Sequence, residues 1–113
     1  MRATIIHNPN CGTSRKVLEI LREHKIYANI INYLEEPLSI DELKGLLSKL
    51  KISADELIRK KEKEASLIKP EMSENEKIQI IHDNPILIER PIVITNKDTK
   101  ICRPKEVVLE LID

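Results

Sequence analysis

A chain of 113 residues with a 41% hydrophobic fraction suits one domain around one core, here residues 1–113. Lys plus Arg and Asp plus Glu stand at 19 each, and two Tyr are the only aromatic residues, which argues against a broadly basic nucleic-acid or membrane face and against a base-stacking platform. Cys11 and Cys102 are too few for a disulfide framework, no leader-like core follows Met1 and no apolar run reaches membrane-spanning length, so a cytoplasmic protein with reduced thiols is expected.

The first strand is predicted over Thr4 to His7. A polar turn follows, and then a helix from Thr13 or Ser14 to Glu23, with Val17, Leu18, Ile20 and Leu21 at helical spacing. Thr13 or Ser14 is the candidate cap. Tyr27 to Tyr33 alternates polar and apolar residues and reads as a second strand. A strand, helix and strand of this length form a βαβ unit, so the two strands are expected to be parallel.

Ser39-Ile40-Asp41-Glu42 has the form of a capping box and opens a helix bearing Leu43, Leu46, Leu47 and Leu50. Ser53 caps a shorter helix from Ala54 to about Arg59. Lys60 to Pro70 reads as a solvated connection. Ser73 to Asp83 is a further helix, with a second capping-box form at Ser73 and Glu76, and Asn84-Pro85 ends it. Ile92 to Thr95 and Thr99 to Cys102 form a hairpin across Asn96-Lys97-Asp98. Pro104 starts a last helix through Val107, Val108, Leu111 and Ile112. The order is α/β, a thioredoxin-like fold with a helical insertion before the C-terminal β-hairpin. In that arrangement Pro91, ahead of the third strand, faces the first helix, and its peptide bond is expected to be cis.

Cys11 lies between the first strand and the first helix, in His7-Asn8-Pro9-Asn10-Cys11-Gly12-Thr13-Ser14-Arg15-Lys16. A thiol there meets the unpaired N–H groups and positive end of the helix, which favour thiolate. Arg15 and Lys16 add positive charge, and His7 is a candidate for more. Val17 stands where a tyrosine-phosphatase loop needs Arg, and Ser14 where a dithiol oxidoreductase needs its second Cys. Cys11-Gly12-Thr13-Ser14 is only weakly similar to the monothiol glutaredoxin motif. Arg59, Arg90 and Arg103 lie at element boundaries, and a planar guanidinium matches a tetrahedral oxyanion. Two separated Cys and three scattered His do not make a metal site. His24 and His82 read as solvated, and Cys102 as a packed small hydrophobe.

Together these residues resemble the glutaredoxin-linked arsenate reductase family. The matching pieces are His7-Asn8-Pro9-x-Cys11-Gly12-Thr13-Ser14-Arg15, Tyr33-Leu34-Glu35-x-Pro37 and Leu57-Ile58-Arg59-Lys60. They continue in His82-x-Asn84-Pro85-Ile86-Leu87-Ile88-x-Arg90-Pro91-Ile92-Val93 and Cys102-Arg103-Pro104-x-Glu106-Val107-Val108-Leu109. The resemblance implies Cys11 as nucleophile, His7 as the residue that helps keep it a thiolate, and Arg59, Arg90 and Arg103 as an oxyanion clamp. It places Gly12, Thr13, Ser14 and Pro91 in structural roles at the site. It implies arsenate as substrate, glutathione as co-substrate, glutaredoxin as partner, and no metal or bound cofactor. The rivals are a thiol-disulfide oxidoreductase, a related reductase with another substrate, and a non-catalytic thioredoxin-fold regulator.

Overall fold

The computed structural model describes residues 1–112. The chain divides into two compact units, one built from residues 1–36 and the segment from 90 onward, the other from 37–89.

The first unit holds all four strands. β1 (Arg2–His7) is followed by α1 (Gly12–Glu23) and β2 (Tyr27–Asn32), and β3 (Ile92–Ile94) and β4 (Thr99–Ile101) follow much later. The sheet order is β2-β1-β3-β4. β1 and β2 run parallel from Arg2↔Tyr27 to His7↔Asn32, as the βαβ spacing requires. β3 lies antiparallel on the other side of β1, with Ile5 opposite Val93, and β4 pairs antiparallel with β3. Val17, Leu18 and Leu21 of α1 pack with Ala3, Ile5, Ile26, Val93, Cys102, Val108 and Leu111 in one core. It is almost wholly aliphatic, with no aromatic ring among its residues, so it stabilises chiefly by removing aliphatic surface from water.

Several boundaries differ from the sequence reading, and β3 and β4 each end one residue short of the expected Thr95 and Cys102. β1 starts two residues earlier, at Arg2, and Tyr33 falls just past β2, where it is fully buried. The last helix is a 3₁₀ helix over Lys105–Leu111. Its buried residues, Val108 and Leu111, are three apart, the repeat at which side chains of a 3₁₀ helix share a face. Arg90–Pro91 is cis as expected, and Arg103–Pro104 is cis as well.

The second unit is helical. α2 (Ile40–Leu50) and α4 (Glu74–Asp83) both carry the expected capping boxes. Ser39 N–H donates to Glu42 Oε1 at 2.8 Å, and Ser73 N–H to Glu76 Oε1 at 3.0 Å. α3 covers only Ala54–Leu57 and stops short of Arg59. The reason is pairing outside the helix: Ile58 bridges Ile88, Arg59 N–H donates to Leu87 C=O at 2.6 Å, and Glu89 N–H to Leu57 C=O at 2.8 Å. The charged connection contains a 3₁₀ helix, Lys63–Leu67, that buries no residue. Two polar residues are less solvated than their composition suggests. Lys77 is buried against Asp55 at 2.9 Å, and half-buried His82 meets Leu38 C=O through Nδ1 at 2.8 Å.

Candidate active site

Cys11 is the N-cap residue of α1, in extended conformation, and its C=O accepts the first helical bond from Arg15 N–H at 3.0 Å. The caps expected at Thr13 or Ser14 are therefore helical residues instead. That shift puts the half-buried sulfur over the helix start, within reach of the N–H groups of Ser14 and Thr13. Burial alone raises the thiol's pKa. The Ser14 N–H, the Arg103 and Arg90 guanidinium groups and the Thr13 N–H outweigh it, and the net shift is downward.

Arg103 Nη1 lies 3.6 Å from Cys11 Sγ. The same nitrogen donates to Arg90 C=O at 3.0 Å. Arg90 is buried, directly before the cis proline that leads into β3. Pro91 C=O accepts from Cys102 N–H at 2.8 Å, which ties the two cis-proline segments together. The structure thus brings Cys11, Arg90, Pro91 and Arg103 to one end of the sheet. Arg59 belongs to the second unit, where its Nε is held by Glu62 at 3.1 Å.

His7 is buried, with Nδ1 2.7 Å from Ser14 Oγ. Burial, then the charges of Arg22 and Arg15, hold its imidazole below the usual histidine range, so at neutral pH it contributes no positive charge. A Cβ on Gly12 would meet only Arg15 Nη2, at 3.8 Å, and its φ is not positive, so the backbone does not demand glycine there. Arg15 itself donates from Nη1 to Pro9 C=O at 2.9 Å.

Cys102 is fully buried in the core, and burial pushes its thiol up to about 12. Among the described residues there is no cluster of metal-ligating side chains, and no helix is long and apolar enough to cross a membrane. Asn8 and Tyr33 are the residues at this site to which the sequence reading gave no part. Asn8 looked like turn material and Tyr33 like the end of a strand.

A lone low-pKa thiol at the first helix of a four-stranded sheet, faced by guanidinium groups across a cis proline, defines a thioredoxin-like thiol enzyme. The chain belongs to the ArsC family, whose profile matches residues 6–111. It is 45% identical over 112 residues to an arsenate reductase of Escherichia coli, spanning 96% of this chain and 79% of that protein. It is 44% identical to the uncharacterized protein YfgD of Escherichia coli strain K12, spanning 96% of this chain and 94% of that one. The solved arsenate reductase from Vibrio cholerae superposes with a TM-score of 0.92 at 36% identity, covering 99% of this chain and 98% of that one.

Proposed function

We propose that this chain reduces arsenate to arsenite in the cytoplasm, with Cys11 as the nucleophile and residues 1–113 working as one domain. The observation that carries the reading is the contact of Arg103, itself anchored on Arg90, with the Cys11 sulfur. Arg90 and Arg103 hold the oxyanion beside the thiolate. Arg59 is assigned to the same task on its sequence pattern alone.

The thiolate attacks arsenic, an As–S bond forms, and a protonated oxygen leaves as water. Glutathione attacks the arsenic and expels a second water. A glutaredoxin thiolate then takes the glutathione sulfur as a mixed disulfide, and the electron pair of the broken S–As bond stays on arsenic. That pair is the two-electron reduction from As(V) to As(III). Water releases arsenite and regenerates Cys11. The protein supplies a pre-ionised nucleophile and positive charge already in place. No metal or bound cofactor enters the scheme.

A steady-state assay with arsenate, glutathione and glutaredoxin tests it. Turnover is expected with all three, and loss of turnover on omitting either thiol donor. No turnover with the complete mixture would sink the reading.

A second reading rests on the likeness to YfgD, an uncharacterized protein 44% identical to this chain. On that reading the same thiolate and arginines act on another substrate. Cys11 would then be alkylated at neutral pH and protected by oxyanions, while arsenate supports no turnover.

A further inference from the structure

Asn8 is 2% exposed, and each of its four polar atoms is engaged. Its N–H donates to Ser14 Oγ at 3.1 Å, and its C=O accepts from Cys11 N–H at 3.0 Å. Its Oδ1 accepts from Asn10 N–H at 2.9 Å, which leaves Nδ2 to donate to Tyr33 OH at 3.3 Å. The first three bonds lie within the turn carrying Cys11. The fourth leaves the turn and ends on a fully buried ring.

Tyr33 follows directly on β2, and β2 is in register with β1 as far as His7↔Asn32. The sheet therefore sets the position of the tyrosine independently of the turn. Sulfur contacts depend steeply on distance and angle. The Arg103 contact, at 3.6 Å, is already long, and an outward relaxation of the turn weakens it further.

We propose that Asn8 and Tyr33 are positioning residues that fix the Cys11 turn against the sheet and so set the thiolate population of Cys11. The proposal rests on Cys11 being the nucleophile. Neither residue touches the substrate. Asn8 closes the turn and holds the helix start through Ser14, and Tyr33 holds Asn8.

The test is the pH profile of Cys11 alkylation by iodoacetamide, which needs no arsenate. Tyr33→Phe removes one oxygen and keeps the buried ring. It is expected to raise the alkylation midpoint by about half a pH unit, roughly a threefold loss of thiolate at a fixed pH below the midpoint. Arsenate kcat should fall by a similar factor, with KM little changed. Asn8→Ala should shift the midpoint further, and adding Tyr33→Phe to it should shift it no more. Ile5→Val is the control for a purely structural effect, since it thins the core and should lower Tm without moving the midpoint.

If both single variants are folded by circular dichroism and alkylate at the parent's midpoint, the proposal is overturned. If Tyr33→Phe does not fold, Asn8→Ala decides alone. Failure of the underlying reading shows separately, as arsenate reduction that persists in Cys11→Ser.

Discussion

Arg103 Nη1 reaches Cys11 Sγ at 3.6 Å and Arg90 C=O at 3.0 Å, so one guanidinium nitrogen joins the thiol to the backbone ahead of the cis proline. A lysine keeps the charge at such a position but lacks the planar fork that leaves further N–H groups for an oxyanion. Arg103→Lys and Arg90→Lys are each expected to lower kcat/KM for arsenate roughly tenfold or more, the loss of a charge-assisted contact of about 1.5–3 kcal/mol. Both should also raise the Cys11 alkylation midpoint. Arg59→Lys should weaken arsenate use as well. Parent-level efficiency in all three variants would remove the clamp and put a thiol-disulfide oxidoreductase ahead.

The two cysteines should separate cleanly. Cys11→Ser is expected to abolish reduction, because a serine hydroxyl stays protonated at neutral pH, while Cys102→Ser retains substantial activity. A thiol count with an aromatic disulfide reagent at pH 8 should find one reactive sulfur in the folded chain and two after denaturation. Cys102 favours folding through its neutral form. With its folded value pushed up to about 12, that contribution is full below the free-thiol value of about 8.5 and is lost as pH rises through about 12. Two rapidly reacting thiols in the native state would contradict the burial of Cys102.

His7 gives a prediction with the opposite pH sense. Its folded pKa lies below the free value of about 6.5, so protonation opposes folding. The stability it contributes is full above about pH 6.5 and is lost as pH falls through the folded value. The His7 imidazole resonances should titrate with a midpoint below about 6.5 by NMR. A midpoint above it would mean that His7 carries charge at the site after all.

The second unit offers a test of stability alone. Ser73→Ala removes the Oγ that accepts from Glu76 N–H at 3.2 Å at the start of α4. It is expected to cost about 1 kcal/mol, measured by urea denaturation. Core residues of the same unit set the larger scale: Leu57→Ala, at a fully buried position, is expected to cost about 2–5 kcal/mol.

Local signals carried much of this structure. Both strong capping boxes follow from residues within a few positions of the feature they specify, the βαβ order from the spacing of three consecutive elements, and the cis bond at Pro91 from its place in the element order. What escaped depends on distant partners or on backbone state. Cys11 is the N-cap through its dihedral angles, not through a capping side chain, so a search for Ser or Thr caps passes over it. α3 ends early because Ile58 finds Ile88, thirty residues on. Asn8 and Tyr33 meet only because two strands lie side by side. His7 is a candidate cation in sequence, whereas in the fold burial, and then the charges of Arg22 and Arg15, hold its pKa below the usual histidine range.

The central strand β1 has one neighbour that follows within a single helix and another that arrives only after residues 37–89 have been made. At about 5–20 residues per second, the stretch from Cys11 to Arg103 takes about 5–20 s to synthesise on a ribosome. Through most of that interval Cys11 lacks both of these guanidinium groups, because neither Arg90 nor Arg103 has been made. The nascent chain therefore lacks the part of the thiolate stabilisation that the two guanidinium groups supply, and keeps only what the N–H groups of Ser14 and Thr13 give once α1 forms. The rest of the thiolate stabilisation arrives with the late segments that carry Arg90 and Arg103, so the sulfur reaches its full reactivity last. A chain arrested before residue 90 should show Cys11 alkylating with a higher midpoint than in the complete protein.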